Sequence, residues 1–449
     1  MKNVLILPTN LDLNRGDQAL VWEAVHLIED VYGKDNVNFK VMASANDPDA
    51  EMQKRQTSER GYPFIDQLLN HPGRKSKKHE DDRNAYTLTT LMQWCFLAVC
   101  DYLHTRPLLS RFAFIRKIGK LFLSKKEKAI LADFENADAV FVKGGGFIHS
   151  FGSLTDVYYS YYMMFHLRLA LAFKKNVYIL PNSIGPLNNP VSRRLTLKTL
   201  KRCKLVSVRE NISLDFIRSL GVDAHYYPDF GFYLKPSTKD FSDYLKKCGV
   251  PIDKKKVVLT MRPNRFTGMH DAAQLYRNYL IGIAELVKYL VGTNYHVTFF
   301  AHTLGPSSHE DDRIAIKDVK ALLDDEILQK TSYIEDFDLT CEDVEKIYSY
   351  YDYMIGTRFH SVIFSLNVGV PAIAIAYGGN KGKGIMNVLE NDGFSIDMDK
   401  IERYSLVNLF EKLVKERHAY LSNLSVKRSV INSMRNDCLE SIKKYEMID

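Results

Sequence analysis

Short apolar runs that recur along this chain, each followed by an amphipathic stretch of helical length, constrain its fold more than any other feature. In the first half the runs are Val4 to Leu7, Val37 to Ala43, Ala139 to Val142, Val177 to Leu180 and Leu205 to Val208. Helical periodicity separates them at about Asp17 to Val31, after Leu154, near Arg193 to Arg202, and at Ile212 to Leu220. Continuous rather than alternating hydrophobicity marks strands covered on both faces, the signature of a parallel sheet. The rhythm lapses between Pro228 and Pro251 and then resumes with runs at Val257 to Met261, His296 to Phe300, Tyr353 to Ile355 and Ala372 to Ile375. Helices are expected at Ala273 to Leu290, after His309, at Val344 to Tyr350, and beyond Arg403 through Tyr445. A chain of 449 residues exceeds one ordinary core. The expectation is an α/β protein of two Rossmann-like domains facing across a cleft, residues 1–235 and 250–400, with a helical insertion at about 47–130 and C-terminal helices over 401–449 that brace the domains.

In such sheets ligands bind beyond the carboxyl ends of strands, so the loops there are where chemistry is sought. After the first strand comes Asn14-Arg15-Gly16-Asp17-Gln18-Ala19, in which glycine permits a close turn. Asp17 either caps the following helix or accepts a hydroxyl hydrogen bond. Lys143-Gly144-Gly145-Gly146 offers unobstructed backbone N–H groups for a sugar or an anion, or simply a tight turn. The spacing is not that of a dinucleotide fingerprint. Pro181-Asn182-Ser183-Ile184-Gly185-Pro186 and Arg209-Glu210 follow further strands, while Arg262, Arg265 and His302 follow strands of the second half. Gly378-Gly379-Asn380-Lys381-Gly382-Lys383-Gly384 follows the last of these. Between them lies Gly356-Thr357-Arg358-Phe359-His360-Ser361, where a strand gives way to a short apolar helix that Thr357 can cap. Helix-start amides and a guanidinium fork suit phosphate or carboxylate, and His360 supplies an ionisable ring or merely a local hydrogen bond.

The formal charge of +7 has a local source. Between Arg106 and Lys128 eight basic residues face the lone acid Glu127, a net charge equal to the whole excess. Leu108, Phe112, Ile115, Ile118, Leu121 and Phe122 share a broad helical face, with Arg116, Lys117 and Lys120 opposite. Leu88 to Leu103 is apolar but short and ends at Asp101. Residues 88–128 therefore read either as a peripheral membrane contact or as helices packed on the protein with a solvated basic face. No nucleic-acid module accompanies the charge, so no nucleic-acid partner is expected. The six cysteines are scattered without metal-ligand spacing and read as buried free thiols. The D-x-D triplets at Asp47-Asp49 and Asp397-Asp399 follow no clear strand, and no metal site is expected. Met1 to Leu7 enters a strand without a secretion signal, which implies a cytoplasmic location.

Taken in order, Asn14-x-Gly16-Asp17-x-Ala19, Gly144-Gly145-Gly146, Ser183-Ile184-Gly185-Pro186, Val208-Arg209-Glu210, Gly356-x-Arg358-Phe359-His360-Ser361 and the glycine-lysine loop resemble the polysaccharide pyruvyl transferase family. Asn182 departs from the glutamine expected before Ser-Ile-Gly-Pro, and residues 47–128 fall outside the resemblance. It implies a GT-B-like fold and transfer of pyruvate from phosphoenolpyruvate, a co-substrate needing no cofactor, to a sugar of a lipid-linked or growing glycan as a cyclic ketal, in cell-surface polysaccharide biosynthesis at the inner face of the membrane. On that basis His360 and Arg358 are the catalytic candidates. Arg358, Lys381, Lys383, Arg262 and Arg209 are assigned to the donor, and Asp17, Gly144, Gly145, Gly146 and Asn182 to the acceptor. The rival readings are a nucleotide-sugar glycosyltransferase of the same fold and a non-catalytic carbohydrate-binding protein.

Overall fold

The computed structural model describes residues 1–43, 49–70, 88–266, 269–306, 310–377 and 381–447. The chain divides into two compact units. Unit 1 comprises Met1–Asp12, Leu20–Phe230 and Met434–Asp449; unit 2 comprises Leu13–Ala19 and Gly231–Ser433.

Unit 1 holds a parallel sheet of β1 (Lys2–Leu7), β2 (Val37–Ala43), β3 (Phe64–Asp66), β4 (Ala139–Val142), β5 (Gly145–Ser150), β6 (Asn176–Leu187), β7 (Leu205–Val208) and β8 (His225–Tyr226). Its order is β3-β2-β1-β4-β6-β7-β8, with β5 beside β6. Val4 to Leu7 and all of β4 and β7 are buried, as continuous apolar strands covered on both faces must be. The helices of eight or more residues are α1 (Arg15–Tyr32), α2 (Leu88–Thr105), α3 (Ala113–Leu121), α4 (Lys125–Asn136), α5 (Asp156–Ala172), α6 (Pro190–Leu200) and α7 (Asn211–Ser219). The first turn of α1 packs with unit 2 and the remainder with unit 1. Glu127, the lone acid of the basic segment, is a helix cap: its carboxylate accepts from Ser124 N at 2.8 Å while Ser124 Oγ accepts from Glu127 N. Such a reciprocal box stabilises a helix start by about 1 kcal/mol.

Unit 2 holds β9 (Lys256–Thr260), β10 (His296–Phe300), β11 (Thr331–Ile334), β12 (Tyr353–Gly356), β13 (Ala372–Ala376) and β14 (Ser395–Asp397). All pairs are parallel, in the order β11-β10-β9-β12-β13-β14. That is the doubly wound arrangement of dinucleotide-binding sheets, and its switch point lies between β9 and β12. The longer helices are α8 (Ala272–Gly292), α9 (Asp312–Lys320), α10 (Cys341–Tyr348), α11 (Phe359–Asn367), α12 (Lys381–Val388), α13 (Ser405–Lys415) and α14 (Arg417–Met447). In α14, Arg428 donates to Asn367 Oδ1 within unit 2, while Glu446 pairs with Lys2 and accepts from Tyr178 within unit 1.

Local expectations are corrected in four places. Thr357 does not cap α11; Arg358 occupies that position with extended backbone, and Thr357 Oγ1 turns to Thr260 O. At the start of α1 the capping side chain is Asn14, whose Oδ1 accepts from Asp17 N at 3.3 Å, so Asp17 lies inside the first turn. The glycine triplet is no open loop, because Gly145 begins β5 and pairs in parallel with Asn182. Nor are all six free thiols buried, since Cys95 and Cys100 are exposed on α2. Asp47 lies outside the described residues, and Asp397, the last residue of β14, is paired with Lys400.

Candidate active site

The strand ends at the switch point of unit 2 assemble a compact ionic site. At the end of β12, Gly356 leaves room for a polar contact beneath the α11 start: a Cβ there would lie 2.7 Å from Ser361 Oγ and 2.9 Å from Thr260 Oγ1. Those two hydroxyls hydrogen-bond at 2.6 Å, and Ser361 Oγ donates to Arg358 O at 2.8 Å. The last residue of β9 thereby fixes the backbone that presents Arg358 and His360.

Arg358 is 5% exposed and already ion-paired. Its Nε donates to Asp312 Oδ1 at 2.7 Å and its Nη1 to Glu310 Oε2 at 3.0 Å. Nη2 is buried and has no hydrogen-bond partner among the described residues. Asp312, the first residue of α9, is fully buried and its Oδ2 also accepts from His302 N and Thr303 N, each at 3.0 Å. Burial pushes the Asp312 carboxyl up to about 6, with Arg358 opposing the rise. Burial also works against the Arg358 charge, but Asp312 and Glu310 outweigh it and raise its pKa. Glu310 reaches a second cation, for Arg262 Nη2 lies 3.9 Å from its Oε1 and the Arg262 guanidinium stacks on Tyr377, 4.0 Å from the ring centre.

His360 stands on Gly16. A Cβ at Gly16 would lie 2.2 Å from His360 Nδ1, 2.4 Å from its Cγ and 2.6 Å from its Cβ. Gly16 has helical rather than left-handed backbone, so glycine is required there for the close approach of the imidazole and not for a turn. The neighbouring Arg15 is 1% exposed and donates through Nη2 to Asp336 O at 3.0 Å. His302, buried, lies 3.0 Å through Nδ1 from Tyr348 Oη. Burial first, then the neighbouring His360, Arg358 and Arg15, holds its pKa well below the usual histidine value, so His302 is a neutral imidazole.

The sequence-derived candidates thus separate. Arg358, His360, Arg262 and the turn carrying Asp17 belong to unit 2, and Asp17 is therefore grouped with His360 rather than with the amino-terminal unit. The backbone of Lys381 and Lys383 opens α12, while their side chains and residues 378–380 lie outside what the structure describes. Arg209, in unit 1, is buried; its Nε donates to Ser183 Oγ at 2.8 Å and its Nη1 to Asp229. Ser183 and Ser213 in turn donate to Glu210, so the Ser-Ile-Gly-Pro and Val-Arg-Glu motifs are two halves of one internal network. Asn182 spends its amide on Lys143 O and Leu180 O, and its Oδ1 is buried with no partner among the described residues. Glu310, Asp312 and Tyr377 were not foreseen. Asp312 opens the helix that follows β10, and Glu310 lies two residues before it, the one signal that marks them.

Solved structures similar to the whole chain share its architecture. The crystal structure of Anabaena Alr3699/HepE in complex with UDP-glucose has a TM-score of 0.56 at 11% identity, over 99% of this chain and 100% of that one. A glycosyltransferase from Rickettsia africae gives 0.53 at 14% identity, over 99% and 98%. UDP-GlcNAc 2-epimerase from Neisseria meningitidis gives 0.51 at 14% identity, over 99% and 100%. These are GT-B glycosyltransferases and epimerases, and at such identity they establish the fold alone. In sequence, the amylovoran biosynthesis protein AmsJ of Erwinia amylovora is 25% identical over 283 residues, 60% of this chain and 64% of that protein, so the match spans somewhat under two thirds of its length. The sequence profile described as polysaccharide pyruvyl transferase matches residues 14–379, from the turn under His360 to the glycine-lysine loop. The chain belongs to the polysaccharide pyruvyl transferase family.

Proposed function

We propose that this protein transfers pyruvate from phosphoenolpyruvate to a sugar of a lipid-linked or growing glycan, forming a cyclic ketal, in exopolysaccharide biosynthesis. The observation that carries the reading is the pairing of Arg358 and His360 at the start of α11, with Arg262 sharing Glu310. Phosphoenolpyruvate has a phosphate and a carboxylate, and fixed guanidinium groups are the donors best matched to both. Arg358 keeps a buried NH2 group, Nη2, to offer, while its Nε and Nη1 are held by Asp312 and Glu310. Lys381 and Lys383 complete the donor set in this proposal.

The chemistry balances as an addition, an elimination of phosphate and a second addition. A proton passes to the enol methylene, and the adjacent carbon takes on oxocarbenium character. One sugar hydroxyl forms a bond to that carbon and gives up its proton. Phosphate then leaves by cleavage of its bond to that carbon, which regains oxocarbenium character; a second sugar hydroxyl adds there and gives up its proton, closing the ring, and inorganic phosphate departs protonated. His360 is the group assigned to proton transfer, because its imidazole is held against Gly16 in the same unit as the arginine cluster. Asp17, one residue beyond Gly16, is assigned to an acceptor hydroxyl. Fixed cations would neutralise the developing phosphate charge.

Chelator-treated protein incubated with phosphoenolpyruvate or with nucleotide sugars, each with a panel of lipid-linked sugars, tests the reading by mass spectrometry. Ketal formation only with phosphoenolpyruvate supports it. Hexose transfer from a nucleotide sugar would establish the rival glycosyltransferase, and strict dependence on added magnesium would remove the metal-free scheme.

A further inference from the structure

Unit 1 carries a surface to which the pyruvyl-transfer proposal assigns no role. On α2, Met92, Phe96, Val99 and Leu103 are between 57% and 69% exposed. Their spacing of four, three and four residues puts them on one stripe of the helix. The helix is held from elsewhere on its surface, where Asp101 accepts from Tyr158 Oη at 3.0 Å and Thr105 Oγ1 meets Tyr161 Oη at 2.9 Å. Helix α3 repeats the design. Phe114, Ile118 and Leu121 form an exposed stripe continued by Phe122, while buried Gly119 packs on Pro107 and Leu108. The broad apolar face expected for this segment therefore exists, and all of it except Leu108 faces solvent. Large aromatic and aliphatic side chains exposed on two successive helices are unusual for a surface that meets only water.

Beside α3 runs a groove of about 750 Å³ whose charged lining is entirely cationic: Arg106, Arg111, Arg168, Lys198 and Arg202. Leu109, Phe112 and Ile115 supply its apolar wall. Burial, opposed by Tyr161 and reinforced by Arg106 and Arg202, pulls the Arg168 pKa down. Of the nearby acids, Glu127 is committed to Ser124 and His104, and Glu135 to Lys120. Among the described residues no carboxylate pairs with Arg111, Lys117, Lys125 or Lys128.

We propose that this face of unit 1 docks on an anionic phospholipid surface, with the stripes of α2 and α3 entering the acyl boundary and the cationic groove receiving headgroup phosphates. Apolar side chains beside unpaired cations match such an interface in both respects, whereas an acidic protein partner would match only the charge. No helix among the described residues is long and apolar enough to cross a membrane, and the contact proposed is peripheral. The inference stands independently of the pyruvyl-transfer reading.

Sedimentation of the full chain with vesicles of phosphatidylcholine, alone or mixed with phosphatidylglycerol, tests it. Binding is expected only with phosphatidylglycerol and should weaken as salt rises. Arg111→Ala with Lys198→Ala should lower affinity about 25-fold, roughly fivefold per cation. Phe114→Ser with Leu121→Ser should abolish binding at every salt concentration while leaving the circular dichroism unchanged, since both side chains are exposed. Absence of binding to either vesicle, or equal binding to both, overturns the proposal. So does a serine variant that binds vesicles normally but changes oligomeric state by light scattering, because the stripes would then cover a second copy of the chain.

Discussion

Gly16→Ala should disable the protein through His360 without touching any ionisable group. In a helix this substitution ordinarily stabilises by about 0.5–1 kcal/mol. Here the added methyl would sit 2.2–2.6 Å from three atoms of His360, so the imidazole or the first turn of α1 must move. Overpacking of this kind costs about 1–3 kcal/mol, which leaves a net loss of up to about 2 kcal/mol. A displacement of order 1 Å in a reacting group lowers turnover about 10²-fold, and that is the expected fall in kcat for phosphate release from phosphoenolpyruvate. A double-mutant cycle with His360→Gly isolates the contact, since glycine removes all three clashing atoms. In that background Gly16→Ala should stabilise by its helix-propensity gain alone, giving a coupling of about 1–3 kcal/mol by urea denaturation. Normal turnover of Gly16→Ala, or the same stability change in both backgrounds, would refute the placement of His360 on Gly16.

Three further outcomes follow from charge and burial. Burial lowers the His166 pKa to about 3, and its Nε2 accepts from Leu68 N at 3.1 Å as a neutral imidazole. Because the folded pKa lies below the unfolded value of 6.5, this stabilisation is fully present above pH 6.5 and drains away as pH falls, by about 1.4 kcal/mol per unit. His166→Gln should flatten the pH dependence of urea stability in that window, and an unchanged slope would contradict the burial argument. Arg358→Met strands the buried Asp312 and should cost about 3–5 kcal/mol, partly recovered by adding Asp312→Asn; no recovery would mean that the pair is not what holds the site. Glu310→Gln removes a carboxylate that competes for Arg262 and Arg358, and should tighten phosphoenolpyruvate about fivefold in calorimetry, about 1 kcal/mol, whereas weaker binding would contradict that competition.

Much of the fold was legible because parallel strands buried on both faces must be apolar at every position. Val257 to Met261 and Ala372 to Ile375 read as strands without any partner in view, and their order in the sheet follows from doubly wound topology. The site was legible in kind but not in connection. Arg358 and His360 were marked by their place after a strand, yet the carboxylates that hold Arg358 lie 46 and 48 residues away, and such pairing leaves no local periodicity. Gly16 was read as a turn residue because glycine most often relieves backbone strain. Its actual demand, space for a ring from the other half of the chain, is a tertiary fact. The triplet Gly144-Gly145-Gly146 reads as an open loop for a related reason, since glycine beside a covered strand can itself extend into an edge pairing, as Gly145 does with Asn182. Arg209 shows the converse: a cation after a strand end can be engaged within its own unit, here by Asp229 and Ser183.

Phosphate release coupled to ketal formation is the most direct test of the function proposed for Arg358 and His360. Phosphoenolpyruvate and a lipid-linked sugar acceptor, followed together by phosphorus NMR and mass spectrometry, should yield one inorganic phosphate for each pyruvyl ketal formed with the wild-type chain and neither product with His360→Ala. Equal turnover by the His360→Ala protein, or sugar transfer from a nucleotide donor with phosphoenolpyruvate left intact, would contradict it.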